Sequence, residues 1–301
     1  MTRAYSRLML GCGNFGGVGS APAFFGRGET KEEAFAIMDA AWEAGLTTFD
    51  TADAYGGGRS ETWIGEWRRR TGHDPLVVTK TFNPMDEGED HGLGPARVRR
   101  QLVTSLGRLG VERVDLYLMH AWDADVPIAE TAGVLDELVA EGKIAAYGLS
   151  NVDGAQLREA LACGAFAAVQ NSYSLLDREA ERELLPLCAE RGVAFFAFSP
   201  LAGGWLTGKY RRGAPAPAGS RMTMRPEPYE HLRDDAVYDR LERLEAMGDP
   251  ATLALSWLLG DPRVTAVVVG PRRPEQLGPV LAASAAPGGA AETAELSALF
   301  A

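Results

Sequence analysis

The sequence predicts an α/β protein built as one (β/α)8 TIM barrel, and three observations predict it. Short apolar runs alternate with amphipathic helical stretches almost from end to end. Most of those runs are continuously apolar, the pattern of parallel strands covered on both faces. Eight such βα units fit the 301 residues, with no linker dividing them and no repeat at the sequence level. A single domain over residues 1–301 is the expectation.

The strands are expected at 7–11, 47–50, 76–80, 114–120, 144–150, 168–171, 194–199 and 266–270. A glycine-rich loop follows the first. Gly11-Cys-Gly-Asn-Phe-Gly16 fits G-x-G-x-x-G, but a dinucleotide fingerprint needs a helix opening there. Gly17, Gly19 and Pro22 oppose one, and helical periodicity resumes only at Thr30. The loop, Gly13 included, reads instead as one that lets a ligand approach the backbone. Thr30 with Glu33, and Asp153 with Gln156, have the spacing of capping boxes at helix starts. Gly45, Gly142 and Gly192 stand just past helical runs, where a left-handed residue ends a helix. Between the seventh strand and the next helix, residues 211–235 are rich in Pro, Gly and Arg and read as a long irregular loop, of the kind that is usually functional. Loop 83–94 follows the third strand and is acidic and glycine-rich. Residues 290–301 make a short final helix at most.

Composition narrows the function. Apolar residues make up 46% and charged residues 24%, an ordinary globular balance. The formal charge of −11, without a Lys/Arg cluster, argues against nucleic acid and anionic membrane surfaces as partners. The longest apolar runs, 193–198 and 265–269, cannot span a bilayer, and residues 8–10 are no signal-peptide core. Cys12, Cys163 and Cys188 are odd in number and lack metal-ligand spacing, which points to a reducing, cytoplasmic setting. The expected partner is a small molecule; monomer and homo-oligomer remain open.

In such a barrel the chemistry sits at the C-terminal ends of the strands. The second strand ends in Asp50 and continues Thr-Ala-Asp-Ala-Tyr55-Gly; the third ends in Lys80 and the fourth in His120. Each has a bland explanation alone: a turn cap, a half-buried aromatic, a solvated strand end, a structural histidine. Together, in one register from three consecutive units, they make a set. An ammonium near a phenol stabilises its phenolate and lowers its pKa. Asp50 would keep Lys80 charged, and His120 could hydrogen-bond a carbonyl oxygen. Hydride would have to come from a cofactor, because no side chain supplies it.

These residues resemble a known family. Gly45-Leu-Thr-Thr-Phe-Asp50-Thr-Ala-Asp-Ala-Tyr55-Gly, Val-Thr-Lys80 and Leu-Met-His120 are similar to aldo-keto reductase signatures in order and spacing. Tyr147-Gly-Leu-Ser150-Asn151, Val169-Gln170-Asn171, Phe198-Ser-Pro-Leu201, Leu206-Thr-Gly-Lys209-Tyr and Val269-Gly-Pro-Arg272 continue the resemblance over almost the whole chain. It implies reduction of an aldehyde or ketone with NADPH, and a catalytic tetrad of Asp50, Tyr55, Lys80 and His120. It also implies carboxamide ligands at Ser150, Asn151 and Gln170, and a nicotinamide-stacking ring at Phe198. Ser199, Pro200, Leu201, Gly203 and Lys209 correspond to the stretch beneath the pyrophosphate, and Ser220-Arg221 to the segment folding over it. Gly270, Arg272 and Gln276 correspond to the adenosine-phosphate region, with Arg272 the choice for a 2′-phosphate. There the resemblance is to the branch that includes the potassium-channel β-subunits.

Two departures qualify this. Pro279-Val280 stand where the family usually has a Glu-Asn pair on adenine, so NADH is also an expected cofactor. The short C-terminus implies an open substrate pocket, with Phe24 and Trp122 as candidate lining. Asp86, Glu87, Glu89 and Asp90 read first as a solvated loop, the alternative being that they disfavour anionic substrates. Two rival readings are a dinucleotide-bound regulatory module and a lyase using Lys80 as a Schiff-base nucleophile. An intact His120 opposes the first, and a charge-holding Asp50 the second.

Overall fold

The computed structural model describes residues 4–86 and 90–301. Each apolar run becomes a parallel strand: β1 Leu8–Gly11, β2 Thr48–Asp50, β3 Leu76–Thr81, β4 Leu116–Met119, β5 Tyr147–Ser150, β6 Ala168–Ser172, β7 Ala194–Phe198 and β8 Ala266–Val269. They pair in chain order and β8 pairs back to β1, so the (β/α)8 barrel is closed. Strands β4 and β5 are shorter than their apolar runs; ahead of them Val114 and Ile144 meet only in an isolated bridge.

The pleat explains the uninterrupted apolar runs. Met9, Val78, Leu118, Phe196 and Val268 belong to a small cluster along the barrel axis. Their neighbours Leu8, Leu10, Val77, Tyr117, Met119, Phe195 and Val267 belong to a larger cluster between strands and helices. Tyr5 plugs the N-terminal end, its ring edge-on to Phe196 at 5.3 Å. Two residues further along the same inward face, apolar gives way to polar: Val78 to Lys80, Leu118 to His120, Ala168 to Gln170. Gly148 lies on this face too, and a Cβ there would fall 2.2 Å from the Ala168 carbonyl, so β5 and β6 approach more closely than any side chain allows.

Helices α1 Lys31–Glu43, α2 Arg59–Thr71, α3 Pro95–Leu109, α4 Ile128–Ala140, α5 Gly154–Cys163 and α6 Leu184–Arg191 follow the first six strands. Both capping boxes form. Thr30 accepts from Glu33 N while Glu33 accepts from Thr30 N, and Asp153 and Gln156 do likewise. Gly45, Gly142 and Gly192 are left-handed, with φ of 84°, 71° and 66°. The β7–β8 connection differs from expectation. It holds a short helix α7 Arg221–Met224 and a 3-10 turn Glu227–Leu232 inside the stretch expected to be irregular. Two helices then follow instead of one, α8 Asp235–Met247 and α9 Pro250–Gly260. Asp249 explains the second: it caps Thr252 N at 2.8 Å, with Pro250 in the first turn. After β8 come α10 Leu277–Ala285 and α11 Ala290–Leu299.

Among the described residues no helix is long and apolar enough to cross a membrane, and no group of three or more His, Cys, Asp or Glu could hold a metal. The three cysteines are free, Cys12 and Cys188 buried and Cys163 exposed.

Candidate active site

The C-terminal rim gathers Asp50, Tyr55, Lys80 and His120. Lys80 is fully buried; its Nζ donates to Asp50 Oδ2 at 2.7 Å and to the Thr51 carbonyl at 2.8 Å. The same ammonium lies 5.1 Å from the centre of the Tyr55 ring. The Tyr55 hydroxyl is 3.5 Å from His120 Nε2, and the two rings meet edge-on at 5.5 Å. Tyr55 opens a 3-10 turn, Tyr55–Gly58, that only glycine can complete. Gly56 has φ 60°, and a Cβ there would lie 2.5 Å from the Phe15 carbonyl. On the other side Gly13 faces the phenol, its Cβ position 3.5 Å from the ring.

Two further groups brace the set. Gln170 donates from Nε2 to Asp50 Oδ1 at 2.8 Å, so the carboxylate is held from two sides. Asn83 Nδ2 lies 3.1 Å from His120 Nδ1. An amide N–H on Nδ1 requires a lone pair there, which leaves the imidazole hydrogen on Nε2, facing Tyr55. Sequence reading missed Asn83 because nothing marks it beyond its position three residues after Lys80.

Burial and charge set the protonation states. Burial, then the Lys80 charge, hold His120 well below its ordinary 6.5, so the imidazole is neutral near pH 7. Burial is also the largest influence on Tyr55 and raises it above 10; the Lys80 charge opposes this, and Asp50 adds to it. The downward pull expected from Lys80 is therefore present but outweighed, and the phenol stays protonated. Burial alone would lower Lys80, but Asp50 and Tyr55 together raise it. A protonated phenol, a neutral imidazole N–H and a buried cation can together receive a carbonyl oxygen and protonate it.

Residues expected at a dinucleotide lie around the same rim. Ser150 ends β5, and Asn151 donates to the His120 carbonyl at 2.8 Å and to Ser150 Oγ at 3.1 Å. Among the described residues, Asn151, Ser199 and Ala202 are the non-glycine residues with positive φ, at 57°, 55° and 46°. Such strain costs about 1–3 kcal/mol each and clusters where ligands bind. Phe198 ends β7, and Pro200 and Leu201 lead into a folded-back 3-10 stretch, Ala202–Thr207. Gly203 there leaves room for Tyr229, whose hydroxyl pairs with Ser199 Oγ at 2.9 Å. Gly270 follows β8, and Gln276 Oε1 accepts from Arg272 N at 2.7 Å.

Lys209, Arg221 and Arg272 share one corner. Lys209 is lowered first by desolvation of its head and then by the Arg272 and Arg221 charges, although much of the residue is solvent-accessible. Arg221 is lowered by burial, and further by Arg225 and Arg272. Beside them Ser220 Oγ is buried without a hydrogen-bond partner. Crowded cations next to an orphaned hydroxyl fit a polyanion such as a pyrophosphate.

Among the described residues the ring that meets Tyr55 is His120. Phe24 lies under Arg225 and Arg27 at 5.4 and 5.7 Å, and Trp122 packs half-buried against the helix-side core. In the acidic loop, Glu87 and Glu89 lie outside the described residues, and the exposed Asp90 pairs with Arg97 and Arg100.

Behind Tyr55 sits a buried polar cluster. Thr81 Oγ1 donates to Asp53 Oδ2 at 2.7 Å, Arg97 donates to Thr81, and Arg108 bridges Glu61 and the Asp53 carbonyl. Asp53 Oδ1 has no hydrogen-bond partner. Burial, then the Glu61 charge, raise Asp53 from 3.8 to about 7. A raised folded-state pKa contributes stability that is fully present below 3.8 and lost as pH rises through about 7. The stability of the native chain relative to Asp53→Asn should therefore rise as pH falls from 8 to 5 in urea unfolding. A difference independent of pH over that range would mean that Asp53 is ionised throughout.

Comparison with known proteins identifies the family. The model of the Aldo/keto reductase family matches residues 7–300. The chain is 34% identical over 293 residues to the NADH-specific methylglyoxal reductase of Escherichia coli, covering 90% of this chain and 87% of that protein. It is 35% identical over 293 residues to an uncharacterized oxidoreductase of Bacillus subtilis, covering 90% and 85%. Among solved structures, the glycerol dehydrogenase of Gluconobacter oxydans superposes with a TM-score of 0.83 at 25% identity, covering 98% of this chain and 91% of that one. An aldo-keto reductase of Bacillus halodurans in its holo form gives 0.79 at 28% identity, covering 98% and 92%.

Proposed function

The chain belongs to the aldo/keto reductase family, and from that premise we propose that it reduces an aldehyde or ketone to an alcohol, with Tyr55 as the proton donor. The observation that carries the reading is the Tyr55 hydroxyl beside both the buried Lys80–Asp50 pair and the Nε2 of a neutral His120. When bound, a reduced nicotinamide dinucleotide supplies the hydride. His120 donates a hydrogen bond to the substrate oxygen and orients it. Tyr55 releases its proton to that oxygen as negative charge develops there. Lys80 stabilises the phenolate left behind, Asp50 keeps Lys80 charged and placed, and Gln170 steadies Asp50.

Ser150, Asn151 and Gln170 would hold the carboxamide and Phe198 would stack on the nicotinamide ring. Ser199, Pro200, Leu201, Gly203, Lys209 and Arg221 would hold the pyrophosphate. Gly270, Arg272 and Gln276 would meet the adenosine end. Arg272 argues for NADPH; Pro279-Val280 and the similarity to an NADH-specific relative argue for NADH.

The test follows loss of reduced-nicotinamide absorbance with NADPH and NADH across a panel of aldehydes, ketones, keto-sugars and 2-oxoaldehydes such as methylglyoxal. Carbonyl-dependent oxidation is expected. Tight dinucleotide binding with no carbonyl turned over would overturn the reductase reading and favour the regulatory one.

A further inference from the structure

The glycine-rich loop after β1 carries two polar side chains that reach the cations of the β7 and β8 loops. Asn14 Oδ1 accepts from Arg221 Nη2 at 3.0 Å. Glu29 is clamped to the same loop through its backbone: its N–H donates to the Asn14 carbonyl at 2.9 Å, and its carbonyl accepts from Gly16 at 3.0 Å. Its side chain turns to Arg272, with Oε1 accepting from Nε at 2.5 Å. Glu29 is only 3% exposed, and Oε2 is buried with no hydrogen-bond partner. Arg272 Nη1 is engaged as well, by the Gly219 carbonyl and by the Met224 sulfur at 3.2 Å. The guanidinium that the resemblance assigned to a 2′-phosphate thus has one nitrogen, Nη2, clear of these contacts.

A buried carboxylate is held in place by its cation, and separating the two is costly. A 2′-phosphate brings about −1.5 to −2 further charge, by analogy with other phosphate monoesters. It would have to share Arg272 with Glu29, and like charges in one desolvated corner repel. A ribose 2′-hydroxyl is different, because it is a donor and Oε2 is an acceptor without one. We infer that Glu29 sets the cofactor preference of this chain, neutralising Arg272 against a 2′-phosphate and offering Oε2 to a free ribose hydroxyl. The site is thereby turned toward NADH. Repulsion built against one ligand is an economical way to discriminate between two that are otherwise alike.

This inference rests on the reading that the rim holds a nicotinamide dinucleotide, so its test is binding rather than turnover. NAD+ and NADP+ are titrated calorimetrically into the full-length protein and into Glu29→Gln. The native protein is expected to bind NAD+ at least as tightly as NADP+. Glu29→Gln, which keeps the shape and the hydrogen bond to Arg272 but removes the charge, is expected to bind NADP+ about tenfold more tightly, a shift of about 1.4 kcal/mol, with NAD+ no tighter than before. Arg272→Ala introduced into that variant should abolish the gain. Native protein preferring NADP+ tenfold or more would overturn the inference without any variant. An unchanged NADP+/NAD+ ratio in Glu29→Gln, or a weaker NADP+, would also overturn it, the latter making Glu29 a residue that aims Arg272 at the phosphate. If neither dinucleotide binds any of these proteins, the dinucleotide reading fails along with it; lost preference with binding intact fails this inference alone.

Discussion

Tyr55→Phe is expected to lower carbonyl turnover by about 10²–10⁴-fold, the usual worth of a positioned general acid, with dinucleotide affinity unchanged. The substitution removes one hydroxyl and nothing else. The ring keeps its edge-on contact with His120 and its place 5.1 Å from Lys80 Nζ. Its hydroxyl is the group that lies 3.5 Å from His120 Nε2, and burial keeps it protonated. Turnover rates and equilibrium titration, measured side by side, separate the two roles. A fully active Phe variant would remove Tyr55 from the chemistry; an inactive variant that no longer binds dinucleotide would make it a structural or binding residue.

Lys80→Met is expected to cost both activity and stability. It leaves Asp50 buried at 3% exposure with its cation gone, and breaking a buried pair from one side destabilises by about 3–5 kcal/mol. Gln170 would still donate to Oδ1, which offsets part of that cost. Adding Asp50→Asn removes the stranded charge, so the double variant should recover most of the lost stability and none of the turnover. Urea unfolding of the two single variants and the double variant gives the coupling directly. A double variant as unstable as Lys80→Met would show that the loss arises from packing around the lysine stem rather than from the unpaired carboxylate.

The contrast between these two residues and Glu29 shows what could be read in advance. Lys80 and His120 each follow an apolar run, and a period of two puts them on the inward face above Val78 and Leu118, while Asp50 ends β2 in register with Val78. Their convergence follows once the runs are taken as parallel strands of one barrel. Thr30, Asp153 and the three helix-ending glycines were legible for the same reason, since each acts on residues three or four positions away. The net direction of the Tyr55 pKa was not legible. The sequence shows a lysine nearby, but not how far the half-buried phenol is desolvated.

What the sequence determined by itself is therefore the local part: eight strands, most of the helices that cover them, and the inward register that brings an aspartate, a lysine and a histidine to one rim, with a tyrosine on the loop after the second strand. Tertiary structure decided what meets across the rim. Gln170 reaches Asp50 over 120 positions, Asn83 meets His120 over 37, and Glu29 meets Arg272 over 243. Hydrophobic periodicity and capping report interactions within a few residues and are written in the order of the chain. Hydrogen bonds and ion pairs between loops depend on barrel closure, which brings the first loop beside the last and leaves no trace in the spacing of either.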